Sequence, residues 1–170
     1  MLTLGLPDAE ATCRLAALIA DHLDPGDVIL LDGPLGAGKT TWVRGLVVAM
    51  AGDPAAVSSP TYTLLHQYQA RIPVIHVDAY RLNGPGGLDG LGFDELRDAG
   101  VAVVEWASRV AAAFSQVDCW RIALSHCADG SRQALIQPNA RCADAWLRSA
   151  PRSWMVTTTD TRIDSVNLPL

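Results

Sequence analysis

The sequence predicts a three-layer α/β/α domain built on a mixed, mainly parallel sheet. Three observations carry that prediction. Short apolar strands alternate with segments of helical periodicity along most of the chain. Two of those strands, 73–78 and 101–105, end on an acid, and a third, 27–32, runs through a glycine-rich turn straight into a helix. Strands joined through helices pair parallel, and two hairpin signals add antiparallel partners.

Taken in order, residues 2–6 form a short strand, and Pro7 with Asp8 open a helix whose free N–H groups the Asp8 carboxylate caps. Leu15, Leu18, Ile19 and Leu23 recur at helical spacing until Pro25 and Gly26 end the pattern. The apolar strand 27–32 leads to the glycine-rich turn and to a helix from Thr40 to Met50, closed by Gly52. A polar loop with Ser58, Ser59, Pro60 and Thr61 follows, then an alternating strand over 62–69, a turn at Ala70 and Arg71, and the strand 73–78. Residues 83–92 hold five glycines and a proline, which predicts a mobile loop. A short helix over 93–98 stops at Gly100, and a helix over 107–114 is expected after Glu105. Strands over 119–125 and 133–137, parted by Ala128, Asp129 and Gly130, read as a hairpin. Residues 1–139 therefore form one unit. Residues 140–170 are an extension with a short helix to Leu147 and a loose, Thr- and Asp-rich tail from Pro151.

At 170 residues the chain fits one domain, and with 49% apolar and 18% charged residues it has the composition of a chain that folds. No apolar stretch approaches the roughly 20 residues that span a bilayer, and no basic region precedes a long apolar run, so the expected location is the cytoplasm. Cys13, Cys119, Cys127 and Cys142 lack metal-ligand spacing and read as buried or incidental thiols. The net charge is −5 and the basic residues are scattered, so the chain offers no nucleic-acid surface of its own. Of thirteen basic residues twelve are arginine, and the single lysine is Lys39.

That lysine stands in GxxxxGK[ST], from Gly33 to Thr40. Such a loop lets successive backbone N–H groups converge on phosphates, and the helix that follows adds its positive N-terminal end. In this reading the segment from Gly33 through Gly36, Ala37 and Gly38 wraps a nucleoside triphosphate, Lys39 reaches the β and γ phosphates, and the Thr40 hydroxyl faces Mg2+. Magnesium takes carboxylate oxygens, which a parallel sheet presents at the carboxyl ends of its strands; Asp78 and Glu105 stand at two such ends. Glu105 is one of three glutamates, the others, Glu10 and Glu95, falling in predicted helices. His76 shares a face with Asp78 and reads as a core histidine. Asp89 and Gly92 fit DxxG, but no strand leads into them and no NKxD follows, which excludes a GTPase reading.

The blocks GPLGAGKTTWVRGL (33–46), SSPTYTL (58–64), HVDAYRL (76–82), LGFDEL (91–96) and VVEW (103–106) resemble, in order and spacing, the TsaE family. That family comprises bacterial ATPases needed for threonylcarbamoyladenosine modification of tRNA. The resemblance covers residues 2–137. It implies ATP and Mg2+ as cofactors, Thr41 as joining the phosphate-binding loop residues, Thr61 as a switch residue near the γ phosphate, Glu105 as the firmer magnesium ligand beside Asp78, and Trp106 as important next to it. It also implies that the protein assists a TsaB and TsaD complex acting at adenosine 37 of ANN-decoding tRNAs, meeting tRNA only through those partners. Two departures stand out: family members often carry an acid at the position of Ser108, and more usually phenylalanine at that of Trp42. A small-molecule kinase is the main rival, but such enzymes use an arginine-bearing lid, and 83–92 contains no arginine. The charge on a moving phosphoryl group would then fall to Arg44, Arg81 or a partner. A nucleotide sensor without turnover is the second rival, and the intact Lys39, Thr40, Asp78 and Glu105 oppose it.

Overall fold

The computed structural model describes residues 1–156, apart from the side chain of Pro85. Its centre is a seven-stranded sheet made by β1 (Leu2–Leu6), β2 (Val28–Asp32), β3 (Leu65–Tyr68), β4 (Val74–Asp78), β5 (Val101–Glu105), β6 (Trp120–His126) and β7 (Arg132–Gln137), in the order β1-β7-β6-β2-β5-β4-β3. The core pairings β6/β2, β2/β5 and β5/β4 are parallel, while β7 and β3 run against their neighbours. The sheet is thus mixed and mainly parallel, as the alternation of strands and helices predicts.

Strand alternation divides the core in two. Ile29, Leu31, Val74, Val101, Val103, Ile122 and Leu124 face α1 (Ala9–Ala20), α2 (Lys39–Ala49) and α4 (Ala143–Ser149). Val28, Leu30, Ile75, Val77, Ala102 and Val104 face the other way, toward α3 (Phe93–Ala99) and the 3-10 turns around it. The three layers follow from that division. His76, Asp78 and Glu105 share the alternation of Val74, Val101 and Val103, so they project toward the α2 face. Asp8 caps α1 through its carboxylate, which accepts from the Ala11 N–H at 2.7 Å.

Four local expectations need correction. The strand expected over 62–69 is confined to Leu65–Tyr68, because residues 61–64 turn and Leu64 adopts a left-handed φ of 66°. The loop expected over 83–92 is a 3-10 segment over Pro85–Leu91, pinned by buried Leu82 and Leu88. The helix expected over 107–114 is two 3-10 turns, Ala107–Arg109 and Ala111–Phe114. The left-handed Trp106 and a Val110 φ of −126° interrupt helical winding, while Ala107, Val110 and Phe114 anchor the turns to the sheet. In the extension, α4 inserts a fully buried Trp146 into the larger core, and Asn139 ties Asp27 to the start of that helix. Beyond it Met155 bridges to Leu4 and the Val156 N–H donates to the Thr3 carbonyl, so 151–156 hold to the edge of β1 rather than hanging loose. The remainder of the expected loose tail lies outside the described residues. All four cysteines are free thiols.

Candidate nucleotide-binding site

The cradle begins where β2 stops. Gly33 has a φ of +146°, and a Cβ built there would lie 2.5 Å from the Leu124 carbonyl oxygen of β6, so only glycine allows the chain to leave the sheet this close to its neighbour. Ala37 is buried beneath the loop, and Gly38, with a φ of +101°, turns the chain into α2. No side chain caps α2, whose first N–H groups are therefore left for an anion. Buried Val43, Leu46 and Val47 hold the helix against α1 and the sheet.

Lys39 sits at the centre of this arrangement. Its Nζ donates to the carbonyls of Gly33 at 2.7 Å and Pro34 at 3.0 Å, and lies 3.9 Å from the centroid of the Trp106 ring. Burial pushes its pKa below the ordinary lysine value, against the opposing pull of Glu105, Asp78 and Asp32. The ammonium is thus held by two backbone carbonyls and a ring face, with three carboxylates near enough to favour its charge.

Asp78 and Glu105 are register partners at the ends of β4 and β5, and both are buried. Glu105 Oε1 accepts from the Thr40 hydroxyl at 2.9 Å and from His76 Nε2 at 2.8 Å. His76, fully buried, also meets the Tyr68 hydroxyl at 3.2 Å through Nδ1. It is the core histidine the sequence suggests, and its partner is the site carboxylate. Asp78 Oδ2 accepts from the hydroxyls of Ser59 at 3.0 Å and Thr61 at 2.8 Å, and its Oδ1 accepts from the Tyr80 N–H at 2.9 Å. Two further bonds fix the main chain of the same segment. Arg44 of α2 donates to the Val57 carbonyl at 3.1 Å, and the Tyr68 hydroxyl to that of Ser58 at 3.0 Å.

Gly36, Gly38, Lys39, Thr40, Thr41, Thr61, Asp78 and Glu105 all border one cleft of about 600 Å³. Gly33 and Ala37 do not border it; they support the loop from behind. Leu35, Tyr80 and Trp106 complete the walls, with the Tyr80 and Trp106 rings 5.1 Å apart. Trp42 is a core residue, fully buried, whereas Trp106 belongs to the site. Sequence reasoning missed Tyr68, Asp32 and Tyr80. Tyr80 lies inside the HVDAYRL block and was within reach; Tyr68, an aromatic on an alternating strand, carries no signal that separates it from a core residue. Asp89 is far from this chemistry and lines a smaller cleft with Phe93, Arg97 and Phe114.

A family model described as "Threonylcarbamoyl adenosine biosynthesis protein TsaE" matches residues 6–134. The chain belongs to the TsaE family. Among curated TsaE proteins, that of Rickettsia conorii is 39% identical over 60% of this chain and 59% of its own length. The Nostoc protein is 37% identical over 81% of this chain and 86% of its own, and that of Treponema pallidum 36% identical over 75% and 94%. The chain thus spans about three fifths of the Rickettsia TsaE protein and most of the other two. A crystal structure of YdiB from Bacillus subtilis is similar in fold, with a TM-score of 0.68, 27% identity, and coverage of 86% of this chain and 91% of that one. In this TsaE-family chain the glycine-rich loop, its following helix and both strand-end acids all fall within the matched span. No helix among its described residues is long and apolar enough to cross a membrane.

Proposed function

We propose that this protein binds ATP with magnesium in the cleft, hydrolyses it slowly when alone, and does so in the cytoplasm for the threonylcarbamoyladenosine modification of tRNA. In this reading a TsaB and TsaD complex is its partner and accelerates turnover, and tRNA is met only through that complex. The observation that carries the reading is the direct bond from the Thr40 hydroxyl to Glu105, beside the buried Lys39. It joins the residue after the P-loop lysine to a strand-end carboxylate, the pairing that magnesium-triphosphate chemistry requires.

The donor set fits magnesium. It offers a hydroxyl from Thr40 and carboxylates from Glu105 and Asp78, all hard oxygen donors, and magnesium usually takes one or two carboxylates with waters and phosphate oxygens rather than a full protein cage. Thr40 and Glu105 would hold it, with Asp78 as the second carboxylate. When bound, it would neutralise charge on the β and γ phosphates. The protein's own part is positional. Phosphates entering the cradle take over the Lys39 ammonium from the Gly33 and Pro34 carbonyls, and the uncapped N–H groups of α2 meet the same oxygens. Thr61 lies at the cleft edge where a γ phosphate would be sensed.

Slow turnover alone is expected because no arginine among the described residues borders the cleft, Arg44 is engaged with Val57, and the mouth is open to water. A docked partner would exclude water and order the segment around Thr61. The test is phosphate release by the purified chain with and without TsaB and TsaD, at fixed ATP and magnesium. Faster release with the partners is expected, and Glu105→Gln should lower it by about tenfold or more. Equal rates with and without partners would overturn partner activation, and transfer of phosphate to a small acceptor would establish the kinase reading instead.

A further inference from the structure

The segment after α2 has no regular structure from Val57 to Pro60 and an exposed turn from Thr61 to Leu64, yet it is gripped at four points in succession. Arg44 holds the Val57 carbonyl, Tyr68 the Ser58 carbonyl, and Asp78 the hydroxyls of Ser59 and Thr61. Of these grips the Tyr68 bond differs in one respect. Its hydroxyl also meets His76 Nδ1, and His76 Nε2 meets the Glu105 oxygen that accepts from Thr40. A continuous chain of four bonds, 2.8 to 3.2 Å long, therefore runs from Thr40 through Glu105, His76 and Tyr68 to the main chain of Ser58. Tyr68, His76 and Glu105 are all buried, at 6%, 0% and 3% exposure, so water does not compete for these bonds.

We infer that Tyr68 is a positioning residue, which couples the segment 57–61 to the Glu105 carboxylate so that the γ-phosphate position and the magnesium position respond together. The inference rests on the ATP-binding reading above and adds a regulation of that same site. Burial keeps the phenol protonated and available as a donor, since it pushes the Tyr68 pKa upward. A hydroxyl has one proton to give. With the His76 Nε2–H given to Glu105, Nδ1 of the same ring is left as an acceptor, so His76 and the Ser58 carbonyl both draw on that one proton. Any change in how Glu105 engages His76 therefore alters what Tyr68 offers to Ser58, while His66 Nδ1 at 3.3 Å is a further partner of that hydroxyl among the described residues. Arg44 grips the adjacent carbonyl without touching His76 or Glu105, which makes it the internal control.

The experiment compares the parent protein with Tyr68→Phe and Arg44→Met, measuring by calorimetry the binding of ADP and of a non-hydrolysable ATP analogue across a magnesium titration. Tyr68→Phe keeps the ring and removes the hydroxyl's bonds to Ser58, His76 and His66. It should lower the preference for the triphosphate by about twofold to tenfold, the loss of one hydrogen bond, while ADP affinity stays at the parent value. It should also raise the magnesium needed for half-maximal triphosphate binding, which Arg44→Met should not. A Tyr68→Phe protein that loses both nucleotides equally, or neither, overturns the inference, as does an equal magnesium shift in the two variants. A Tyr68→Phe protein that fails to fold leaves the decision to His76→Gln. His76→Gln breaks the chain one link away and must reproduce the magnesium shift. A parent protein that binds neither nucleotide overturns the ATP reading itself.

Discussion

The two walls of the cleft are built on opposite principles. The P-loop wall is fixed from behind by close packing: Gly33 against the Leu124 carbonyl, Ala37 fully buried, and α2 pressed on the sheet through Val43, Leu46 and Val47. The wall formed by 57–64 gives only Val57 to the larger core and rests Leu64 against the smaller one, exposes Tyr62 at 88%, and is otherwise held by side-chain hydrogen bonds that reach it from α2, β3 and β4. Packing sets a shape that tolerates almost no change, whereas a set of bonds each contributing roughly 1 kcal/mol sets one that a ligand or partner can rearrange. A rigid cradle faced by a tethered sensor is the arrangement a nucleotide-dependent switch requires.

The sharpest way to break that contrast is Gly33→Ala. The added Cβ meets backbone, which cannot give way as a side-chain tip would, and the φ of +146° is itself strained for alanine. A loss of at least about 2 kcal/mol in stability is expected from those two effects together, with nucleotide binding lost. Thermal unfolding and calorimetry with ATP check it. Near-parental stability would mean that the cradle is as adaptable as the opposite wall.

Lys39→Ala is next. A charged hydrogen bond contributes roughly 1.5 to 3 kcal/mol, or about tenfold to a hundredfold in affinity, and no second lysine exists to replace it. The fold should survive, because the ammonium meets only loop carbonyls and the Trp106 face. Unchanged ATP affinity in a folded variant would remove Lys39 from the site.

The same contrast explains how much was legible in the sequence. The cradle was readable because local pattern dictates it: an apolar strand, glycines where φ must be positive, a lysine, and an amphipathic helix within some twenty consecutive residues. Asp78 and Glu105 were readable because each ends an apolar strand, and the structure makes those ends register partners. The opposite wall was named at Thr61 by resemblance, but its construction was hidden. Its grips join residues such as Ser58 to Tyr68 and Val57 to Arg44, which no periodicity links. The expected helix over 107–114 failed for a related reason: alanine-rich composition favours winding, and the left-handed Trp106, with its ring over Lys39, and the extended φ at Val110 stop it.

That Trp106 turn supplies the last and smallest expected effect, because it asks which of the two principles governs the third side of the cleft. Asp32 ends β2 and alternates with Val28 and Leu30, away from Glu105, and its Oδ1 accepts from the Ser108 N–H at 3.1 Å. With Ser108 uncharged, the negative charge beside the turn comes from Asp32 on the neighbouring strand. Asp32→Asn retains an oxygen acceptor and removes the charge; Asp32→Ala removes both. If the turn is tethered like 57–64, Asp32→Ala should cost about 0.5 to 1.5 kcal/mol of stability and shift the tryptophan fluorescence as Trp106 leaves Lys39, while Asp32→Asn should leave that signal alone. Removing a charge close to the triphosphate should also let Asp32→Asn bind ATP as tightly as the parent or about twofold more tightly, since carboxylate and phosphate repel. Buried Ala107 and Val110 supply the opposing case: should both variants keep parental fluorescence and stability, packing alone fixes the turn, and the third side of the cleft belongs with the cradle.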